Sequence, residues 1–109
     1  MPIPNLYQNA EPPTEGERFE TLLTRRNLVI ERILSSSRTT PIEFNQGQDE
    51  WVLLVAGAAT LDVKGASVSL KSGDHLFLPA GTPHTVTQVS DGAIWLAVHL
   101  HLAEGSDAS

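Results

Sequence analysis

The sequence predicts an all-β protein, a small antiparallel barrel or jelly roll made of short strands. Three observations lead to this prediction. The chain of 109 residues contains 7 prolines and 8 glycines, and 40% of its residues are hydrophobic. Short runs of strand-like composition occur at regular spacing, with turn residues between them. No segment predicts a helix longer than a turn or two, and no internal repeat is visible.

Length and charge limit the range of functions. A chain of 109 residues suits one domain with a hydrophobic core of its own. The net charge is −6 and no basic cluster occurs beyond Arg25-Arg26, so we do not expect nucleic acid as a partner. The sequence has no cysteine, which excludes disulfides, thiolate metal ligands and a cysteine nucleophile.

Nothing in the sequence predicts a membrane location. The first residues, Met1-Pro2-Ile3-Pro4-Asn5, have neither the basic nor the apolar segment of a secretory signal. No apolar run approaches the length that spans a bilayer. We therefore expect a cytoplasmic protein with no membrane partner.

The chain divides into three predicted regions. Residues 1–17 are rich in proline and polar residues and predict an extended arm. Residues 18–102 form the predicted barrel, and the polar residues 103–109 form a flexible tail. Within the barrel we expect an edge strand at 19–23 and further strands at 28–34, 42–46, 50–56, 58–63, 66–70, 76–78, 84–89 and 93–102.

One stretch, from Gly73 to His84, organises the barrel. Gly73 follows a strand-like run and suits a tight turn. Pro79 ends the short apolar strand that comes next, because proline cannot donate to a strand ladder. Gly81 supplies a second turn. His84 then begins a strand on a sharply bent backbone, which favours an imidazole that points inward.

The glycine, proline, glycine and histidine of this stretch have the spacing of the second conserved motif of the cupin superfamily. Upstream, Glu50 and Gly57 are spaced as at the end of the first cupin motif, so the resemblance covers residues 44–89 and extends into the flanking strands. The resemblance implies a double-stranded β-helix, the jelly-roll barrel of cupins. It also implies a homodimer, since small cupins usually dimerise by sheet packing.

The resemblance implies a divalent-metal pocket with four ligand positions. In metal-binding cupins these positions hold two histidines, a glutamate and a later histidine; here they are Phe44, Gln46, Glu50 and His84. Phenylalanine cannot bind a metal. Gln46, Glu50 and His84 would then form a three-ligand site rich in oxygen, suited to iron, manganese, nickel or zinc.

A second interpretation of the same residues stays open. Without metal, Gln46, Glu50 and His84 could hydrogen-bond to one another inside the barrel. In either case Phe44 is expected to form a wall of the pocket, and Val52 and Leu54, which share the face of Glu50, are expected to line it.

The other histidines and Trp51 are assigned to different places. His99 and His101 lie two residues apart, a spacing that metal sites use, but a rim or interface position is favoured for both. His75 is expected at the surface or in a dimer contact. Trp51 faces away from Glu50 and is expected to pack between sheets or subunits.

Three functions remain open on the sequence alone. The first is a metal-dependent enzyme, such as an oxygenase, isomerase or lyase, acting on a small organic molecule in the barrel. The second is a non-catalytic module that binds or senses a small molecule without metal, which Phe44 favours. The third is a scaffold whose main role is its dimer interface.

Overall fold

The computed structural model describes residues 2–102, in which nine strands and no helix occur. The predicted tail at 103–109 lies outside this range. The all-β prediction is therefore confirmed for the barrel. The strands are β1 (Glu17–Arg25), β2 (Leu28–Ser35), β3 (Glu43–Phe44), β4 (Asp49–Ala56), β5 (Ala58–Val63), β6 (Ala66–Lys71), β7 (His75–Leu78), β8 (His84–Val89) and β9 (Ala93–Leu100).

The strands form two antiparallel sheets. The larger sheet has the order β1-β2-β9-β4-β7, and the smaller one has the order β3-β8-β5-β6. Strand β9 lies between β2 and β4 and pairs with both along its length. Strand β9 thus joins the N-terminal strands to the strand that carries Glu50.

The hydrophobic core lies between the two sheets. Alternate residues of each strand point inward. Strand β4 contributes Val52 and Leu54, β9 contributes Trp95 and Ala97, and Leu61 of β5 faces them from the smaller sheet. Full burial of each large apolar side chain contributes about 1.5–3 kcal/mol to folding.

A glycine carries the chain from one sheet to the other, between β4 and β5. Gly57 has a φ of +104°, a region that other residues rarely adopt. A Cβ at this position would lie 2.6 Å from Ser90 Oγ and 3.0 Å from Ala93 Cβ. Because neither the backbone angle nor the space admits a side chain, this crossover requires glycine.

The N-terminal arm packs on the larger sheet through one buried arginine. Arg32 of β2 is 7% exposed. Its guanidinium donates to the backbone carbonyls of Leu6, Gln8 and Asn9 at 2.8, 2.6 and 3.2 Å. It also contacts the Glu20 carboxylate at 2.6 Å. The arm is thus held by defined hydrogen bonds.

Every predicted strand end lies within two residues of the observed one. The strand predicted at 19–23 is longer, at Glu17–Arg25, and two other strands are clearly shorter than predicted. The prediction for β9 extends to residue 102, whereas the strand ends at Leu100. Its partner β2 begins at Leu28, which pairs with Leu100, and the His101 amide beyond it donates to the Asn27 carbonyl of the turn at 2.8 Å. The predicted strand at 42–46 contracts to Glu43–Phe44, where it pairs with β8. Nothing between residues 2 and 102 forms a helix able to cross a membrane.

Candidate functional site

A cavity of about 70 Å³ lies between the two sheets. Apolar side chains, including Phe44 and Trp95, form much of its wall. A groove of about 410 Å³ adjoins the cavity and shares Phe19, Phe44 and two further residues with it. The polar residues that line the cavity are Glu17, Glu31, Gln46, Glu50, His84 and His99.

Glu50 and His84 come together in the wall of this cavity. Glu50 faces inward from β4 and is 7% exposed, and His84 opens β8 and is 8% exposed. The turn before His84 is fixed because the Gly81 amide donates to the Gln46 carbonyl at 2.8 Å. The distance from His84 Nε2 to Glu50 Oε1 is 3.6 Å. Two residues 34 positions apart are thereby juxtaposed, each from a different sheet.

The backbone fixes which nitrogen of His84 faces the carboxylate. His84 Nδ1 lies 3.0 Å from the Thr82 carbonyl oxygen. A carbonyl can only accept, so Nδ1 carries a hydrogen and donates it. The other nitrogen, Nε2, points to Glu50. A proton between Nε2 and Oε1 makes this contact attractive, and its removal leaves two electron pairs facing each other.

The residues at the four expected metal-ligand positions do not fit a divalent ion as they are arranged. Phe44 presents an aromatic ring that stacks on His84, with 5.8 Å between ring centroids. Gln46 turns its amide nitrogen, not its oxygen, toward Glu50, and Nε2 donates to Oε1 at 3.1 Å. Within residues 2–102, no three histidine or acidic side chains are placed to hold a metal ion. Gln46 and Glu50 instead hydrogen-bond to each other in the cavity wall.

His99 lies inside the cavity and not at the rim that the sequence favours. It is 8% exposed and sits directly opposite Glu50 in the β4–β9 ladder. Its Nε2 lies 2.8 Å from Glu31 Oε1. The alternation of inward and outward residues along a strand could have predicted this position, because His99 shares one face of β9 with the buried residues Trp95 and Ala97.

Gln48 connects the two histidine–glutamate pairs. Its amide nitrogen lies 3.2 Å from His99 Nδ1 and also donates to Gln46 Oε1. Since an amide nitrogen only donates, His99 Nδ1 accepts, and His99 Nε2 carries the hydrogen that goes to Glu31. A continuous chain of side-chain hydrogen bonds therefore runs from Glu31 through His99, Gln48 and Gln46 to Glu50.

Glu17 is a third carboxylate in the cavity, and no sequence motif marks it. Burial raises the pKa of its carboxyl, and the negative charges of Glu50 and Glu31 raise it further. A hydrogen bond from Ser35 Oγ at 2.8 Å acts in the opposite direction. Ser35 itself accepts from Trp95 Nε1 at 3.0 Å, which holds its hydroxyl in place.

The remaining predicted site residues divide between the cavity and its surroundings. Val52 lines the cavity, as expected. Leu54, predicted to line the pocket, lies deeper, fully buried in the core opposite Trp95. His75 is exposed and packs its ring 5.5 Å from Trp51, on the side away from Glu50. His101 follows the end of β9 and is exposed.

Comparison with known proteins places the chain in one family. The family model described as the cupin domain matches residues 30–99. No curated protein matches the sequence. Among solved structures, a proposed mannose-6-phosphate isomerase from Ralstonia eutropha JMP134 is 33% identical, with a TM-score of 0.80 over 93% of this chain and 99% of that one.

More distant structures share the fold. An RmlC-like cupin from Shewanella frigidimarina is 19% identical with a TM-score of 0.71, over 83% of this chain and 80% of that one. An RmlC-like cupin from Desulfovibrio desulfuricans is 19% identical with a TM-score of 0.75, over 92% and 96%. The family match covers the strands that carry Glu50, His84 and His99. The chain belongs to the cupin family.

Proposed function

We propose that this cupin binds a small organic molecule in the cavity and moves a proton to or from it with the Glu50–His84 pair, with no resident metal ion. The observation that carries the proposal is the 3.6 Å contact between His84 Nε2 and Glu50 Oε1 in the cavity wall. An imidazole and a carboxylate in hydrogen-bonding reach of a bound molecule are the usual groups of general acid–base catalysis.

The surroundings of the pair suit proton transfer. Thr82 holds His84 Nδ1, so Nε2 is the atom free to take up or release a proton. Gln46 holds Glu50 Oε1 through its amide. Apolar walls that include Phe44 and Val52 keep water away from a bound molecule and strengthen the electrostatic contacts.

Isomerisation is the reaction class that the comparisons support best. The Ralstonia protein, 33% identical, is described as a proposed mannose-6-phosphate isomerase. Isomerisation can proceed by removal of a proton from one carbon and its return to a neighbouring carbon. One acid–base pair beside a closed cavity supplies both steps, because the group that takes the proton can return it.

A non-catalytic binding module is the second candidate, and Phe44 is the observation that favours it. Its ring stacks on His84 and narrows the approach to that imidazole. In this case the cavity would bind the same class of molecule, and the buried pair would serve to orient it.

One experiment separates the two candidates. A library of small molecules is screened by thermal shift, and each ligand found is then incubated with the protein in D₂O. We expect at least one ligand to exchange a carbon-bound hydrogen for deuterium, seen by proton NMR, and Glu50→Gln to stop the exchange. Glu43→Gln, an exposed carboxylate on β3, is the control and should exchange normally.

The outcomes are distinct. Binding without exchange in the wild-type protein would support the module and contradict catalysis. A screen in which nothing binds to the cavity would contradict both candidates.

A further inference from the structure

We infer that the molecule bound in this cavity carries a positively charged ammonium group. The inference rests on the proposed function, because it names the chemical class of the ligand at that site. Two observations support it: which hydrogen-bond donors and acceptors around the cavity are already engaged, and the charges of the residues that line it.

Three of the donors around the cavity are already engaged. Gln46 Nε2 donates to Glu50, and His99 Nε2 donates to Glu31. Ser35 Oγ, which lies beside the cavity, donates to Glu17. His84 Nε2, when protonated, is a donor that stays free, but a ligand that mainly accepts hydrogen bonds would meet few other partners and would lose much of its hydration without compensation.

Acceptors, in contrast, remain available. Among residues 2–102, Glu17 Oε1, Glu31 Oε2 and Glu50 Oε2 receive no hydrogen bond. No side-chain oxygen in this part of the chain is both sealed from solvent and without a partner, so these three oxygens are accessible to solvent, and all three belong to side chains that line the cavity. Glu50 is 7% exposed, and its free oxygen belongs to a side chain that lines the cavity. A ligand that donates hydrogen bonds therefore complements this cavity.

The charge of the cavity favours a cation. Of the described residues 2–102, three carboxylates line it, and neither a lysine nor an arginine does. The charges of Glu31 and Glu50 reach Glu17, where they disfavour a further negative charge. A cation in the cavity relieves this repulsion, whereas an anion adds to it.

An ammonium group fits better than a neutral hydroxyl. It has three donors and no acceptor, which matches a cavity with free acceptors and engaged donors. The aromatic rings of Phe44 and Trp95 in the wall offer both apolar contact for a short carbon chain and favourable interaction with a cation. The size of about 70 Å³ limits the part of the ligand inside the cavity to a few heavy atoms.

The test uses three probes of nearly equal size and different charge. The full chain is titrated at pH 7 with n-butylammonium, n-butanol and butyrate, and the imidazole resonances of His84 and His99 are followed by NMR. We expect saturable shifts with n-butylammonium, binding of n-butanol that is weaker by about tenfold, and no shift with butyrate. Glu31→Gln, which keeps an oxygen for His99, should weaken n-butylammonium by about tenfold, and the exposed Glu11→Gln should not.

Equal or tighter binding of n-butanol or butyrate would overturn the inference and leave the proposed function standing. Absence of n-butylammonium binding would also overturn it, and the library screen would then decide the proposed function independently. Loss of affinity to the same extent in Glu11→Gln would show that the attraction is general surface charge, which contradicts a cavity site.

Discussion

Two regions of this protein bury ionic side chains, and they differ in how completely those side chains are paired. On the outer side of the larger sheet, Arg32 is surrounded by the carbonyls of Leu6, Gln8 and Asn9 and by the Glu20 carboxylate. In the cavity, each of three glutamates uses one oxygen and leaves the other without a donor from residues 2–102. Both regions are well buried, but the hydrogen-bonding partners of the ionic groups are complete only around Arg32.

The difference separates a structural role from a functional one. A buried charge with a full set of partners holds two parts of the chain together, and removing it leaves the partners unpaired. A buried charge with an unused oxygen costs stability and is useful when a ligand supplies the missing donor. The raised pKa of Glu17 is a sign of this cost. Substitutions should therefore lower stability in the first region and binding or activity in the second.

The largest effect, on the rate of proton transfer, is expected from a substitution at Glu50. Glu50→Gln keeps an oxygen that accepts from Gln46 but cannot take up a proton, so proton transfer to a ligand should fall by about 10²- to 10⁴-fold. The free energy of unfolding should change by less than about 1 kcal/mol, because shape and hydrogen bond are retained. Deuterium exchange and urea denaturation measure the two quantities. A variant that loses stability while keeping its exchange rate would reverse the assignment of the two regions.

Arg32→Ala should produce the next largest effect, on stability. The change leaves three backbone carbonyls of the arm without their donor and removes the partner of Glu20, so we expect a loss of about 3 kcal/mol. Amide hydrogen exchange should show faster opening at residues 5–9, and ligand binding at the cavity should persist. Arg25→Ala, an exposed arginine of β1, is the control and should cost less than about 0.5 kcal/mol. Equal losses in the two variants would contradict the role given to Arg32.

A smaller effect on stability is expected from Glu17→Gln, and this substitution should raise stability at neutral pH. The fold raises the pKa of the Glu17 carboxyl, so it favours the neutral form. The favourable contribution is complete below the ordinary carboxyl pKa and is lost as pH rises through the raised value. Glu17→Gln keeps an acceptor for Ser35 and cannot ionise, so it should melt higher than wild type at pH 7.5 and similarly at pH 4. The exposed Glu15→Gln serves as control. A melting temperature below that of wild type at pH 7.5 would show that the charge of Glu17 stabilises the fold.

Metal removal should have the smallest effect. Because Phe44 and the orientation of Gln46 do not suit a divalent ion, protein purified without added metal should contain well below one equivalent. Treatment with a chelator should leave the melting temperature and ligand binding unchanged. Near-stoichiometric metal that disappears in Glu50→Ala or His84→Ala would contradict this account and support the metal-dependent interpretation.

The sequence carries much of the fold and part of the site, because some of the information is local. Turn residues and apolar runs place β5 and β8 at their observed ends. The spacing from Gly73 to His84 predicts a bent backbone before the histidine, and strand parity places Glu50 and Val52 on one inward face. These features depend on neighbours within about ten residues, which the sequence displays directly.

The rest depends on contacts between distant strands. His99 meets Glu31 because β9 inserts between β2 and β4, and no local pattern reveals that insertion. The arm shows no regular periodicity, so its packing on Arg32 is not visible before the chain folds. Leu54 lies on the inward face of β4, like Glu50 and Val52. It is farther along the strand, however, where it is buried opposite Trp95 and does not reach the cavity.

The most direct test of the acid–base pair is the position of hydrogens on the two cavity histidines. Nitrogen-15 NMR at neutral pH can assign the ring nitrogens of His84 and His99, with Glu50→Gln as reference. The structure predicts a hydrogen on Nδ1 of His84, donated to Thr82, and a bare Nδ1 on His99, where Gln48 donates. If His84 Nδ1 carries no hydrogen, Nε2 already carries one and cannot take up a proton from a ligand, and the proposed role of the pair would be wrong.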